Sequence, residues 1–127
     1  MAGPTNHPIA SFEDFWLFYL REHARPATRA LHYAGTGLAV VALAAAAIAA
    51  NPWILLAVPL AGYGPAWAAH WLVENNRPAT FAHLLWSLAG DIWMAWRWLS
   101  GRLGEDLARA GVAEPSAKVR TSVGRQR

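Results

Sequence analysis

His70-Trp71-Leu72-Val73-Glu74-Asn75-Asn76-Arg77-Pro78-Ala79-Thr80 is where a long apolar segment stops at a histidine, a carboxylate and a proline turn. His70 and Glu74 are four apart, so on a helix they share a face about one turn from each other, close enough to share one ligand. The stretch has an earlier echo. Glu22-His23-Ala24-Arg25-Pro26-Ala27-Thr28-Arg29-Ala30 matches it, through Ala82, at Glu, at Arg-Pro-Ala-Thr and at the later Ala, with an offset of 52 residues throughout. Two accounts of the echo stand. Arg-Pro-Ala-Thr recurs because each copy ends one helix and starts another, or a helix-turn-helix unit is duplicated. Duplication is the reading preferred here, with His23 and His32 set against Glu74 and His83 about a pseudo-twofold axis.

Outward from that stretch, no Asp, Glu, Lys or Arg occurs from Leu31 to Val73. The block is long enough for two helices of about 20 residues, the length that crosses a hydrocarbon core of roughly 30 Å. With Asn51-Pro52 as its turn, it predicts an all-α membrane protein built on a two-leg transmembrane hairpin, about 31–50 and 53–74. Hydrophobic residues at 55% and charged residues at 15% agree with a membrane-embedded chain. Small residues such as Gly35 and Gly37 allow close helix packing and leave association into a homo-oligomer open. Pro59, Gly62, Gly64 and Pro65 predict a kink or a short unwound piece in the return leg.

Before the hairpin, 1–10 reads as a flexible leader with neither the basic start nor the apolar run of a cleavable signal. Ser11 is the expected N-cap of a short amphipathic helix carrying Phe12, Phe15, Trp16, Tyr19 and Leu20, suited to a membrane surface or the side of a bundle. After the hairpin, Pro78 is expected to open a fourth apolar helix, about 78–101, on which His83, Ser87 and Asp91 make a polar stripe at intervals of four. A carboxylate there is costly in lipid, so Asp91 should meet a histidine, a metal site or water. A single domain is thus expected over 11–103, followed by a disordered basic tail at 104–127. That tail has no aromatic to stack on a base and no recognition motif, so nucleic acid is not an expected partner.

Three arginines precede the hairpin and eight Lys or Arg follow it, which places both termini on the cytoplasmic side of a bacterial cell (inner) membrane. His23, His32, His70 and His83 then fall at one membrane face together with Glu74. With no cysteine, a metal there has only imidazole and carboxylate ligands, a set that suits non-haem iron, zinc or manganese. The alternative is a set of interfacial histidines that cap helices.

His23-x-x-Pro26, Arg29-x-x-His32-x-x-Gly35, Gly62-Tyr63-Gly64, His70-x-x-x-Glu74, Arg77-Pro78-Ala79 and Trp86-Ser87-Leu88-x-Gly90-Asp91 resemble the small membrane proteins related to the fungal endoplasmic-reticulum 2-hydroxy fatty acid dioxygenase. The likeness covers about Phe12 to Arg102. Arg25 and Thr28 stand where the fungal enzyme has asparagines, and Ala69 stands where glycine is usual. The resemblance implies an Fe(II)-dependent dioxygenase that shortens a 2-hydroxy fatty acid by one carbon, with His23, His32, His70 and His83 as the iron-holding histidines. In that reading Glu74 is a further candidate ligand, and Asp91 and Ser87 support the site. Arg25, Arg29 or Arg77 would meet the substrate carboxylate, although lipid phosphate explains arginines at this face equally well. The contrasting expectation is a non-enzymatic membrane module that binds lipid or a partner helix.

Overall fold

The computed structural model describes residues 9–78 and 82–112. Among them there are five α-helices and no strand: α1 (Phe12–Glu22), α2 (Pro26–Ile48), α3 (Ala57–Ala69), α4 (Leu84–Leu99) and α5 (Leu103–Arg109). A 3₁₀ stretch (Pro52–Leu56) leads into α3, and a π-helical turn (His70–Glu74) follows it. Residues 1–8 of the expected leader and residues 113–127 of the expected tail lie outside the described residues.

Ser11 caps α1, its Oγ accepting from the Asp14 N–H at 3.2 Å. Pro26 occupies the first turn of α2, where its missing N–H has no helical acceptor to serve. The helices α2 and α3 pack antiparallel across Asn51-Pro52, whose Asn51 side chain caps the 3₁₀ stretch through the Trp53 N–H at 3.1 Å. The hairpin is therefore helical at both legs. By length and composition, however, only α2 is a candidate membrane span. Thirteen residues of α3 reach about 20 Å, short of a hydrocarbon core of roughly 30 Å without the 3₁₀ and π segments at its ends.

Three expectations need correction. The short unwound piece predicted at Pro59, Gly62, Gly64 and Pro65 is absent, since α3 is helical throughout from Ala57 to Ala69. Pro59 falls in the first turn, where no donor is required, and Pro65 is accommodated within the helix by taking the donor away from the Ala61 carbonyl. That carbonyl and the Gly62 carbonyl both face Gly35 of α2, where a Cβ would stand 3.4 Å from the first and 2.6 Å from the second. The freed backbone thus lies against a glycine in the opposite leg.

Pro78 does not open the fourth helix, which starts at Leu84; residues 79–81 between them lie outside the described residues. Asn75 takes a left-handed conformation (φ 56°) and the Asn76 N–H closes back on the His70 carbonyl at 3.0 Å, so the chain leaves the π turn already committed to a cap. The third correction concerns residue 104, where the tail was expected to begin. Leu103–Arg109 is instead helical, because Leu103 and Leu107 fill a gap beside Phe15, Trp16, Tyr19, Leu20 and Met94. Gly101 (φ 73°) makes the reversal from α4, with the Arg102 N–H on the Arg97 carbonyl at 2.9 Å. Buried Asp106 then takes two bonds from Arg97, at 2.6 and 3.0 Å, while Arg109 pairs with Glu13 of α1.

The molecule accordingly has two unlike parts. A core of large side chains joins α1, α4 and α5, whereas the hairpin leaves Leu38, Val40, Val41, Leu43, Ile48, Leu56 and Leu60 exposed; the outer face of α4 likewise exposes Leu85, Ile92, Trp96 and Leu99. The two matching stretches meet where these parts join. Glu74 Oε1 accepts from the Arg25 N–H at 2.6 Å and from Thr28 Oγ1 at 2.8 Å, and Glu22 Oε2 accepts from Asn76 Nδ2 at 2.7 Å. Each repeat's glutamate crosses to the other copy, but the likeness ends there, since only the first Arg-Pro opens a helix.

The close approach at Gly35 gives a stability prediction. Gly35→Ala should lower the thermal midpoint in detergent, at a cost of about 1–3 kcal/mol for overpacking against backbone. Gly37→Ala, where a Cβ meets nothing within 4 Å, should leave it unchanged or raise it. Equal effects from the two substitutions would contradict the proposed backbone contact.

Candidate metal centre

Three elements bring one imidazole each to a common point. His23 ends α1, His32 lies in the second turn of α2, and His70 stands at the junction of α3 with the π turn. Their relative exposures are 1%, 5% and 2%, so the rings have almost no access to bulk solvent. One nitrogen from each ring lies within 4.8 Å of the other two. The Nε2 of His23 is 3.1 Å from Nε2 of His32 and 3.1 Å from Nε2 of His70, and the three rings are nearly perpendicular to one another, at 81° to 86°.

The opposite edge of each ring settles which nitrogen carries hydrogen. His23 Nδ1 lies 2.6 Å from the Tyr19 carbonyl, His32 Nδ1 lies 2.9 Å from Asp91 Oδ1, and His70 Nδ1 lies 2.6 Å from Asn76 Oδ1. Asn76 can only be oriented that way, because its Nδ2 donates to the Glu22 carbonyl at 3.0 Å and to Glu22 Oε2. Each Nδ1 is therefore the donor, and in the neutral rings each Nε2 carries a lone pair. Three lone pairs then face one another with no donor among them.

A proton can bridge only one pair of these nitrogens. A cation bound by all three would satisfy every lone pair, and two imidazoles each roughly 2.0–2.1 Å from one ion would stand on the order of 3 Å apart. Imidazole bound at Nε2, with Nδ1–H held by a carboxylate, a carbonyl or an amide, is also the usual way that a protein fixes a metal-ligating histidine. Burial pushes the His23 imidazole well below its ordinary range, and the neighbouring rings of His32 and His70 push the same way. This opposes the proton and keeps the ring neutral, the form that a metal requires. Tyr19 adds a second support. Burial first, then the Asp91 carboxylate, raises its phenol, so it remains a donor and bonds Asp91 Oδ1.

The remaining expected site residues lie elsewhere. His83 is not in the group: its ring stacks on Trp86 (13°) and meets Phe15 edge-on. Glu74 is engaged at the start of α2 through Arg25 and Thr28. Asp91 stands against His32, and Ser87 is buried one turn before it on α4. Arg29 is buried, with Nη1 donating to the carbonyls of His23 and Ala24 at 3.0 and 2.8 Å, so it holds the end of α1 in place. Arg25 is exposed, while Arg77 lines an open dish with Trp71, Asn75 and Asn76. Sequence reasoning missed Asn76 and the Tyr19 carbonyl. The first had a signal, an amide six residues after His70 beside a helix-ending glutamate; the second, a main-chain atom, had none.

A family model described as 2-hydroxy-palmitic acid dioxygenase Mpo1-like matches residues 9–103. No curated protein and no solved structure matches the chain. The matched span holds α1 to α4 and all three buried histidines, and the chain belongs to the Mpo1-like family.

Metal content tests the ligand set. Purified in detergent under anaerobic conditions, His23→Ala, His32→Ala and His70→Ala should each lose the ion held by the unmodified chain, whereas His83→Ala should keep it. Asn76→Leu, which frees the His70 ring to turn, should weaken affinity by roughly 10–100-fold in chelator competition. Full metal retention in His70→Ala, or loss in His83→Ala, would count against the three-histidine centre.

Proposed function

From that family membership we propose that the protein is an Fe(II)-dependent dioxygenase which shortens a 2-hydroxy fatty acid by one carbon at the edge of a membrane. The observation that carries this reading is the set of three inward-facing Nε2 atoms, each backed by an acceptor at Nδ1. The family's printed description supplies the reaction class. Iron at a three-imidazole site would offer open positions where O₂ and the two oxygens of a 2-hydroxy acid can be brought together. The overall change needs no outside reductant: a 2-hydroxy acid and O₂ balance against the acid one carbon shorter, carbon dioxide and water.

The chain's own residues bind, orient and exclude water. Asp91, Asn76 and the Tyr19 carbonyl keep the three rings from rotating, so the ligand face is formed before any ion arrives. The stack of Tyr19 on His23, with ring centroids 3.9 Å apart, covers one side of the centre. Arg77, in the open dish beside Asn76, is the arginine this reading assigns to the substrate carboxylate.

The exposed aliphatic residues on both hairpin legs support burial of the hairpin in lipid. The arginine distribution favours a cell membrane with both ends on the cytoplasmic side. In that arrangement the centre lies at the membrane edge, where a fatty acid can enter with its chain still in the apolar layer.

Iron-loaded protein given 2-hydroxypalmitic acid and O₂ should release the acid one carbon shorter, detected by mass spectrometry, and His70→Ala should abolish the product. A well-folded protein that holds no metal and leaves the acid intact would favour a non-enzymatic lipid- or partner-binding module instead. A reporter fused to the C-terminus should read cytoplasmic; a signal from the opposite side would overturn the orientation.

A further inference from the structure

A cavity of about 370 Å³ lies between α2, α3 and α4. It adjoins the three-histidine centre through one residue: Asp91, whose Oδ1 holds His32 Nδ1, is part of its lining. Both hydrogen bonds of Asp91 fall on Oδ1, so Oδ2 is the oxygen with which it can meet a ligand. Polarity is confined to that end. Thr36, one turn along α2 from His32, and Tyr63 are the other polar lining residues; toward the hairpin tip the walls are aliphatic, as at Leu43 and Val58. From Thr36 to Leu43 the groove follows α2 for about 10 Å.

Its floor is made of small residues. A Cβ placed on Gly62 would meet the Ala39 Cβ at 3.6 Å, so the two legs touch there with nothing larger between them. The outer wall belongs to α4, where Ile92 lines the groove and is still 58% exposed. A partner helix would gain nothing from a carboxylate at one end of its track. An amphiphile with a hydroxyl at one end and a hydrocarbon tail matches both ends at once.

We propose that this groove holds the alkyl chain of the substrate, with the 2-hydroxyl toward Asp91 and the tail toward the hairpin tip, and that Ala39 and Gly62 set how deeply it seats. This assignment rests on the reading of the chain as a 2-hydroxy fatty acid dioxygenase. It adds a location, a direction and two residues that control depth.

Photolabelling tests it without turnover. 2-Hydroxypalmitic acid carrying a diazirine in its tail is irradiated with the metal-loaded protein in detergent, and the labelled peptides are mapped by mass spectrometry. Labels are expected on Leu43, Val58 or Leu88, removed by excess unlabelled 2-hydroxypalmitic acid. Ala39→Phe, which fills the floor, should lose them while keeping its metal. Ile92→Trp narrows the groove from a solvent-facing position and decides the matter if the first variant fails to fold. Leu85→Trp, on the outer face of α4, should label like the unmodified chain. Labels that resist competition, or that persist in a folded Ile92→Trp protein, would overturn the assignment. Competed labelling in a protein that produces no shortened acid would keep the groove and remove the dioxygenase; product formation with labels only on outward faces would do the reverse.

Discussion

Three imidazole nitrogens, each bearing a lone pair and each turned toward the others at buried positions, form an arrangement that a bound cation would satisfy in full. Much of the local structure serves that convergence. The Tyr19 carbonyl, Asp91 and Asn76 lock the far edge of each ring. Arg29 ties down the end of α1 that carries His23, and Glu74 ties down the start of α2 that leads to His32. Remove any of these and the corresponding nitrogen is free to swing out of the group. The centre is therefore a property of several chain segments together, and the histidines are only its visible part.

The rest of the molecule divides the work between a packed cap and an exposed hairpin. The cap, α1 with α4 and α5, has a large aromatic core beneath an apolar outer face of α4, and it positions Tyr19 and Asp91 from two different helices. Gly90 lets these two helices meet, since a Cβ there would lie 3.0 Å from the Tyr19 ring. The hairpin has little core of its own beyond the contact between its legs, and its outward surface is aliphatic. The histidines lie where the two parts join.

How much of this could be read in the sequence depends on which atoms carry the information. The uncharged block, Asn51-Pro52 and Ser11 marked the hairpin, its turn and the first cap because side-chain type and spacing are what those features require. His23, His32 and His70 were legible as a group once the hairpin folded them to one end. Composition around α3 overstated the break: Pro59 falls in the first turn and Pro65 is accommodated inside the helix, with the Ala61 carbonyl beside Gly35 of the opposite leg. His83 and Glu74 were expected at the same level as the three histidines, but level does not fix direction, and the π turn and the Asn75 conformation send the chain elsewhere. The helix at Leu103–Arg109 hid in a stretch rich in Gly, Ala and charge, since only two leucines and one buried aspartate hold it down.

Sealing three rings so completely also governs timing. With each ring shut off from bulk water, an ion bound there would exchange with the surroundings slowly, because leaving requires three buried ligands to let go together. Such a centre would take up its ion seldom and give it up seldom. Its occupancy would then lag behind changes in the supply of metal.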